Sequence, residues 1–228
     1  MSDIKGQLII MQTILVLNPK GGSGKSTIST NLAGFLACWG VQVTIADFDP
    51  QESSLDWLSV RTENFPKITG IKGNHPGSAI PPQTDYLILD VPSGQYDDAI
   101  LPWLNQANHI IVPVLPSSHD IRAAKRFLDW MATEERTEHL TSRVAVVANR
   151  VRRNTRSYKL LRSFFDSIAY PCIGVLRDTQ HYVLAAQLGL TIFEMPSKKV
   201  AQDANQWEQM IRWLCLDPYL YPGILPLD

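Results

Sequence analysis

The sequence predicts an α/β fold with a doubly wound, mostly parallel sheet that carries helices on both faces. Short apolar runs alternate along the chain with amphipathic stretches of helical period, which is typical of strands buried on both faces and connected by helices. A glycine-rich turn joins the first apolar run to the first helical stretch, and acidic residues directly follow two later runs. Polar groups at these places indicate a ligand site at the carboxyl ends of the strands.

The alternation predicts strands and helices in turn. The predicted strands are Thr13–Leu17, Val43–Ala46, Tyr86–Leu89, His109–Val114, Val144–Ala148 and Cys172–Val175. The predicted helices are Lys25–Trp39, Ser53–Arg61, Ala99–Gln106, Ile121–Thr133, Thr155–Ser167, Tyr182–Leu188 and Val200–Leu214. Residues 66–84 are rich in Gly and Pro, so we expect a connection there that contains at most one short strand.

The composition is that of an ordinary cytoplasmic enzyme. With 45% hydrophobic and 19% charged residues, the 228-residue chain can bury the core of one α/β domain. No run approaches the roughly 18 apolar residues of a membrane span, and no signal peptide is recognisable. We expect one domain over 1–228, in which 1–10 have no evident role, Met11 could be an alternative start, and 215–228 form a tail.

Three widely spaced cysteines, Cys38, Cys172 and Cys215, contain no Cys-x-x-Cys pair. Their odd number and spacing argue against a disulfide framework and against a bound iron–sulfur cluster. We interpret them as buried apolar residues.

The segment Lys20–Thr27 reads Lys-Gly-Gly-Ser-Gly-Lys-Ser-Thr and directly follows the first apolar run. Its glycines let successive backbone N–H groups point inward, and the helix that begins near Lys25 adds its dipole, so the segment suits a triphosphate. In such a loop Lys25 reaches the β- and γ-phosphates and the Ser26 hydroxyl ligates Mg²⁺. The residues expected to hold the phosphates are Gly21, Gly22, Ser23, Gly24, Lys25, Ser26 and Thr27.

The general phosphate-loop pattern has Gly where this chain has Pro19, and Lys20 precedes the paired glycines. This form resembles the deviant Walker A motif of the ParA/MinD ATPases, and the resemblance extends from about Thr13 to about Pro196. The chain is most similar to short, ParF-like members of the ParA type. The resemblance implies an ATPase that dimerises on ATP, with Lys20 crossing the interface to the phosphates bound by the partner subunit.

The acidic residues fit the same resemblance. Asp47 and Asp49 stand in Asp-Phe-Asp-Pro-Gln, which resembles the family's Asp-x-Asp-Pro-Gln signature, and Asp90 follows Tyr-Leu-Ile-Leu as in its Walker B segment. We expect Ser26 to ligate Mg²⁺ directly, with Asp47 and Asp90 holding metal-bound waters. Asp49 matches the family's hydrolysis-linked aspartate, which orients the attacking water; taken by itself, Asp49-Pro50 reads as a turn.

Two more segments match the family. Asn149 stands where relatives contact the adenine ring, with Arg150 beside it, and residues 113–120 resemble a loop that helps relatives to dimerise, with Pro116 and Asp120 as the interface residues. His119 and Asp120 also invite interpretation as a catalytic dyad. We prefer a simpler hypothesis, in which Asp120 caps the helix from Ile121 and His119 is a loop or interface residue.

The basic residues cluster after the fifth predicted strand. The candidates for contacts with DNA phosphates are Arg152, Arg153, Arg156, Lys159, Lys198 and Lys199. A formal net charge of −1 removes any global attraction to DNA, so only local patches assembled in a dimer can bind it. For the residues between 156 and 162, a solvated helix face explains the pattern equally well. The tail 215–228 contains three prolines and no basic residue, which argues against a membrane-binding amphipathic helix.

Two function hypotheses follow. In the first, ATP closes a dimer that binds nucleoid DNA without sequence preference, and a ParB-like or adaptor partner stimulates slow hydrolysis while a cargo is positioned; the cargo is a plasmid, a chromosome origin or a protein assembly such as a carboxysome. In the second, the chain is a regulatory or scaffold ATPase that acts on proteins without DNA. The missing paired cysteines disfavour a metal-cluster carrier, and the tail disfavours a MinD-like membrane oscillator.

Overall fold

A computed structural model of the chain describes residues 11–73, 79–94 and 100–214. Its strands are β1 (Gln12–Val16), β2 (Val43–Asp47), β3 (Thr69–Lys72), β4 (Tyr86–Asp90), β5 (His109–Val114), β6 (Val144–Val151) and β7 (Cys172–Arg177). Its α-helices are α1 (Lys25–Cys38), α2 (Ser53–Ser59), α3 (Leu101–Gln106), α4 (Ser118–Thr133), α5 (Arg156–Phe165), α6 (His181–Gln187), α7 (Ser197–Asn205) and α8 (Glu208–Leu214). A 3₁₀ helix, Glu138–Arg143, precedes β6.

The strands form one sheet in the order β3-β2-β4-β1-β5-β6-β7, and every pair is parallel. Strands β2, β3 and β4 lie on one side of β1, and the chain then crosses so that β5, β6 and β7 lie on the other side. The predicted doubly wound α/β class is confirmed. The loop after β1 therefore lies at the point where the strand order reverses, which is where ligands bind in such sheets.

Two apolar layers cover the two faces of the sheet. On one face α1, α2, α7 and α8 pack around Ile14, Ile88 and the fully buried Trp207. On the other face α3, α4 and α5 pack around Leu15 and Val112. Inner strands such as β4 and β5 are buried at every position, as strands covered on both sides must be. No helix within the described ranges is both long and apolar enough to span a bilayer.

The predicted elements are confirmed with local corrections. The seventh strand, β3, falls within the connection 66–84 and lies at the sheet edge, where its burial alternates. β6 extends three residues beyond the predicted end, through a register irregularity against β7. Ala99, residues 1–10 and the tail 215–228, which includes Cys215, lie outside the described residues, so the expectations for them stay predictions. The expectation of buried cysteines is wrong for Cys38, which is exposed at the end of α1, and Cys172 is only half-buried.

The single predicted helix Val200–Leu214 is wrong in one respect, because it is broken between α7 and α8. The backbone hydrogen bonds there span three residues instead of four: the N–H of Gln206 donates to the carbonyl of Asp203, and that of Trp207 donates to the carbonyl of Ala204. The turn carries the Trp207 ring fully into the core, where its Nε1 donates to the Tyr182 hydroxyl at 2.9 Å. Burial of this ring outweighs the continuity of the helix.

Candidate nucleotide site

The loop after β1 has the backbone conformation of a phosphate cradle. Gly22 and Gly24 have φ angles of 78° and 93°, in the left-handed region that favours glycine, and α1 begins immediately afterwards at Lys25. A Cβ atom at Gly24 would lie 2.1 Å from Nδ2 of Asn149, so any side chain there displaces that amide. α1 therefore begins, with its free N–H groups, directly after a loop whose glycines carry no side chain.

Asn149, at the end of β6, ties this loop to the neighbouring side of the sheet. Its Nδ2 donates to the carbonyl of Ser23 at 2.8 Å, and its Oδ1 accepts from the N–H of Arg150 at 2.9 Å. Arg150 itself has a φ angle of 51°, a strained value for a residue with a side chain. In this arrangement Asn149 positions the phosphate loop, and its contact with an adenine ring stays a prediction.

Lys25 is a buried cation in the centre of the loop, with 7% of its surface exposed. Desolvation lowers the pKa of its ammonium group, and the nearby charges of Asp90 and Asp49 oppose that effect. A phosphate group would supply the negative charge that this buried ammonium lacks. The Ser23 hydroxyl is likewise buried without a hydrogen-bond partner in the described part of the chain.

The two strand-end carboxylates lie side by side. Asp47 on β2 is the register partner of Asp90 on β4, so the sheet brings them together as the sequence predicts. Asp47 is 1% exposed; its Oδ1 accepts from the N–H of Asp49 at 3.0 Å and its Oδ2 from the N–H of Ser54 at 2.9 Å. Oδ2 of Asp90 accepts from the Ser54 hydroxyl at 2.6 Å, and Asp90 is fully buried.

Burial dominates the electrostatics of both carboxylates. Desolvation raises the pKa of Asp90 to about 6, against the lowering effect of the Ser54 and Ser26 hydroxyls. Desolvation also raises the pKa of Asp47, although backbone N–H groups on its oxygens partly offset it. Holding these two acids in a buried site therefore costs stability at neutral pH, and the nearby Lys25 ammonium offsets only part of that cost.

The donors present suit Mg²⁺ carried by a nucleotide. Oδ1 of Asp90 is buried and has no hydrogen-bond partner among the described residues, so one acceptor is left for a metal-bound water. Mg²⁺ prefers oxygen ligands and keeps several waters, and phosphates and the Ser26 hydroxyl would complete its shell. Within the described ranges no group of three or more His, Cys, Asp or Glu side chains is arranged to hold a metal by itself.

Asp49 lies in the turn that leads from β2 to α2. Its Oδ1 accepts from the N–H of Gln51 at 3.0 Å, and the next turn passes through Glu52, which has a φ angle of 49°. The carboxylate thus forms a local turn, as the dipeptide with Pro50 suggests. It is also close enough to Lys25 to raise the pKa of that ammonium. A role for Asp49 in orienting water stays a prediction.

Lys20 forms an ion pair across 100 residues of sequence. Its Nζ lies 2.6 Å from Oδ2 of Asp120, which is 1% exposed, whereas the lysine side chain is 41% exposed. Asn18, fully buried, holds the lysine in place because its Oδ1 accepts from the N–H of Lys20 at 2.7 Å. The structure thus brings together two of the residues predicted for a dimer interface, on the side of the loop next to β5. The third, Pro116, is half-buried just after β5.

The predicted capping role of Asp120 is wrong. α4 begins at Ser118, and its N-cap is Ser117, whose side chain accepts from the N–H of Asp120 at 3.1 Å. Asp120 is therefore in the first helical turn, where its carboxylate meets Lys20 rather than the backbone of the helix start. His119 lies in the first turn of α4 and not in a loop. It is exposed and its Nδ1 contacts Arg122 at 3.0 Å, so the structure shows no His119–Asp120 dyad.

A cleft of about 680 Å³ opens beside the phosphate loop. It is bounded by the start of α1, by α2, by the end of β6 and by the segment that connects β7 to α6. Residues that line it include Thr27, Trp57, Asn149, Arg150, Arg177, Asp178, Gln180 and Tyr182. Because Thr27 belongs to both the loop and the cleft, a nucleotide whose phosphates lie in the loop can extend its base and sugar into this space.

The far wall of the cleft is fixed by a buried carboxylate on α7. Asp203 is fully buried; its Oδ2 accepts from a guanidinium nitrogen of Arg177 at 2.9 Å and contacts Nδ1 of His181 at 2.6 Å. Burial alone would raise the pKa of Asp203, but Arg177 and His181 together lower it below its ordinary value. Asp203 thus fixes Arg177, a lining residue of the cleft.

The six candidate DNA contacts are all exposed. Arg152 is paired with Asp178 at 2.7 Å, whereas the other five have no ion pair within the described residues. Arg153 lines a surface groove with Gln202 of α7, and Lys198 lies one helical turn before Gln202 on the same face. Arg153, which precedes α5, and Lys198 of α7 therefore share one side of the molecule.

The sequence did not predict three residues of the site. Asn18 precedes the loop, Ser54 follows the acidic turn, and Arg177 ends β7. A signal existed only for Arg177, because it lies at the carboxyl end of a predicted strand, where such sheets bind ligands. Nδ2 of Asn18 donates to the carbonyl of Pro113, and the Ser54 hydroxyl donates to Asp90. Both partners are distant in sequence, so no local pattern reveals these contacts.

The fold and the loop together define a nucleotide-binding ATPase with a phosphate loop. The chain belongs to the family described as the CobQ/CobB/MinD/ParA nucleotide binding domain, whose model matches residues 14–192. This finding confirms the resemblance drawn from Lys20 and the paired glycines.

Curated relatives cover most of the chain. It is 24% identical to the maintenance of carboxysome distribution protein A of Halothiobacillus neapolitanus over 203 residues, which is 85% of this chain and 93% of the relative. It is 28% identical to protein ParA of Rhizobium radiobacter over 202 residues, or 83% of this chain and 88% of that protein.

Solved structures share the fold. A plasmid partition protein of Borrelia burgdorferi B31 bound to AMPPNP superposes with a TM-score of 0.68 at 16% identity, covering 89% of this chain and 99% of that chain. The pNOB8 ParA bound to nonspecific DNA superposes with a TM-score of 0.62 at 17% identity, covering 91% of this chain and 100% of that one.

Proposed function

We propose that this protein is a ParA-type positioning ATPase: it binds ATP with Mg²⁺, dimerises, holds non-specifically to nucleoid DNA in the cytoplasm, and releases it on hydrolysis stimulated by an adaptor. The observation that carries the proposal is the loop Lys20–Thr27 with its left-handed glycines and its partly exposed Lys20. Membership in the CobQ/CobB/MinD/ParA family supports the nucleotide. The remaining steps extend from the contacts of individual residues.

Binding depends on groups already arranged before a nucleotide arrives. The backbone N–H groups of 21–27 and the ammonium of Lys25 would hold the phosphates, and Asn149 would keep the loop open by its bond to Ser23. The base would extend into the cleft beside Thr27 and Arg150. No side chain of the loop has to move aside, since Gly21 and Gly22 are exposed and lack one.

Hydrolysis requires charge neutralisation and a positioned water. Mg²⁺, when bound, would neutralise charge on the phosphates. The Ser26 hydroxyl would be its protein ligand. Asp47 and Asp90 would hold its bound waters by accepting hydrogen bonds from them. Asp49 would orient the attacking water, since it follows Asp47 in the turn after β2 and its carboxylate lies near Lys25.

Dimerisation would place Lys20 in the active site of the partner subunit. Within one chain its ammonium is bonded to Asp120, and to reach a partner's phosphate it has to leave that carboxylate. The lysine side chain is 41% exposed, so a second chain can approach it. A monomer would therefore bind ATP yet lack one of the cations that stabilise the transition state, and its hydrolysis would be slow.

DNA retention would come from the exposed basic residues of α5, of α7 and of the segment between β6 and α5. The net charge of −1 gives no global attraction, so a single chain binds weakly and a dimer that doubles the patch binds more strongly. The pNOB8 ParA, which shares the fold, was solved on nonspecific DNA. This likeness supports DNA as the surface on which the nucleotide cycle acts.

The relatives support a choice of cargo. The maintenance of carboxysome distribution protein A and protein ParA match most of this chain, which supports a protein assembly or a replicon as the object positioned. The alternative function is a scaffold or regulatory ATPase directed at proteins alone. The low net charge favours it, because that charge leaves DNA binding to a few side chains.

Binding to nonspecific duplex DNA tests the proposal. The purified protein is assayed with ATP, with ADP and without nucleotide, at about 50 and 200 mM salt, where a phosphate-dependent complex weakens by at least tenfold. We expect retention only with ATP, and its loss in Lys20→Ala and in Arg152→Ala/Arg153→Ala.

The matched control is Lys67→Ala/Arg136→Ala, which removes two exposed positive charges elsewhere on the surface. This variant is expected to retain DNA as the wild type does. An ATP-bound dimer that never retains DNA would contradict the proposal and favour the protein-directed alternative.

A further inference from the structure

Ser54 is a buried residue that contacts both strand-end carboxylates. Its side chain is fully buried, its hydroxyl donates to Oδ2 of Asp90 at 2.6 Å, and its N–H donates to Oδ2 of Asp47 at 2.9 Å. The N–H of Leu55 supports the second contact at 3.3 Å. One residue at the start of α2 thus contacts the carboxylates that end two adjacent strands, β2 and β4.

The bond to Asp90 determines which oxygen of that carboxylate stays available. Oδ2 is engaged by the hydroxyl, whereas Oδ1 is buried and has no partner among the described residues. A hydrogen bond to a charged acceptor is stronger than a neutral one and fixes the rotation of the carboxylate plane. Ser26 also acts on Asp90, but its hydroxyl is the one expected to ligate Mg²⁺, so in a nucleotide complex Ser54 would be the hydroxyl that keeps the Asp90 carboxylate from rotating.

Ser54 also connects this carboxylate to the turn that contains Asp49. The turn leaves β2, passes through the strained Glu52 and returns to α2, where Ser54 reaches back to both acids. The N–H of Asp49 donates to the other oxygen of Asp47 at 3.0 Å. Three backbone N–H groups, those of Asp49, Ser54 and Leu55, therefore hold Asp47 from both ends of the same turn.

We infer that Ser54 is a positioning residue for Mg²⁺: it acts through Asp90 and Asp47 by fixing the carboxylate orientations that hold the metal-bound waters of a nucleotide complex. The inference rests on the proposed function, since it requires a Mg-nucleotide in the loop. Residues that orient metal-bound groups in this way commonly change metal affinity by about 10- to 100-fold when removed.

The test compares nucleotide affinity with and without the metal. Binding of fluorescent mant-ADP is measured in Mg²⁺ and in EDTA, because ADP excludes effects of hydrolysis. For Ser54→Ala we expect a dissociation constant about tenfold higher in Mg²⁺ and a change of less than about twofold in EDTA, since the phosphate loop itself is unaltered. Ser54→Cys keeps the size of the side chain with a weaker donor, and we expect an intermediate loss.

Ser29→Ala is the matched control. Ser29 is also fully buried, on α1, but its hydroxyl has no hydrogen-bond partner among the described residues. The same deletion there is expected to leave both dissociation constants unchanged. Thermal unfolding of each variant identifies loss of folding, and Ser54→Cys carries the test if Ser54→Ala does not fold.

The outcomes separate the inference from the proposed function. Wild-type protein that binds mant-ADP more tightly in Mg²⁺, with the metal-dependent gain lost in the Ser54 variants, supports both. Equal losses in Mg²⁺ and EDTA, or no loss at all, would overturn the positioning role while leaving the proposed function standing. Wild-type protein that binds no nucleotide would overturn the proposed function and the inference with it.

Discussion

Replacing Asp90 by Asn is expected to stabilise the nucleotide-free, metal-free protein at neutral pH. Burial raises the pKa of Asp90 from 3.8 to about 6, so the folded protein binds this proton more tightly than the unfolded chain does. The contribution of this proton to the free energy of unfolding is therefore present at low pH and is lost as pH rises from about 4 to about 6. The difference between these two pKa values means that, above pH 6, the ionised acid lowers the free energy of unfolding by about 3 kcal/mol.

Asn resembles the protonated acid in shape and cannot lose a proton, and its side-chain oxygen can still accept from the Ser54 hydroxyl. In EDTA at pH 7.5, urea unfolding should show Asp90→Asn more stable by up to about 3 kcal/mol. For a chain of this size, that corresponds to a rise in melting temperature of roughly 6 to 12 °C. The advantage should shrink towards zero as the pH is lowered to about 4.

The control is Asp129→Asn, which neutralises an exposed carboxylate paired with Lys125 on α4. It should change stability by less than about 1 kcal/mol at any of these pH values. The reasoning is refuted if Asp90→Asn is no more stable than the wild type at pH 7.5, or if its advantage is the same at pH 4.

The remaining predictions concern the loop and the cleft wall. Gly24→Ala should weaken ADP binding by about tenfold, because its Cβ displaces the amide of Asn149 and breaks that residue's bond to Ser23. In an Asn149→Ala background the added cost of Gly24→Ala should be smaller, and equal costs in the two backgrounds would argue against the clash. Asp203→Asn should destabilise the protein by about 3 kcal/mol at pH 7 in urea titrations, because it leaves Arg177 without its buried partner. Since the pKa of Asp203 is lowered in the folded state, this difference should be present above pH 4 and should fade as the pH drops further; a difference that grows on acidification would contradict it.

The sequence predicted those parts of the site that depend on local pattern and strand order. The glycines of the loop have the spacing of a phosphate cradle, and they lie between an apolar run and a helical stretch. Asp47 and Asp90 each follow an apolar run, and in a parallel sheet such ends lie at one edge, so their placement at the site was predictable. Their direct register pairing was not, because it depends on the strand order. Strand identity was predictable for the same reason, because burial on both faces leaves a continuous apolar run.

The parts that could not be predicted depend on contacts between distant segments. The bond between Lys20 and Asp120 joins residues 100 positions apart, and nothing in residues 117–120 distinguishes a helix cap from an ion pair. Ser54 reaches Asp90 across 36 residues of sequence, after a turn in which Glu52 adopts a left-handed conformation that is unusual for glutamate. The break before Trp207 likewise reflects burial of one ring rather than any helix-breaking residue.

The central claim is that ATP joins two chains through Lys20. The direct measurement is the molar mass in solution of Asp49→Ala, which should slow hydrolysis, with ATP and Mg²⁺ and with ADP and Mg²⁺. The account predicts a single chain of 25.6 kDa with ADP and twice that mass with ATP. It also predicts that Asp49→Ala/Lys20→Ala binds ATP yet stays a single chain. A protein that remains monomeric with ATP, or that dimerises equally well without Lys20, would contradict the account.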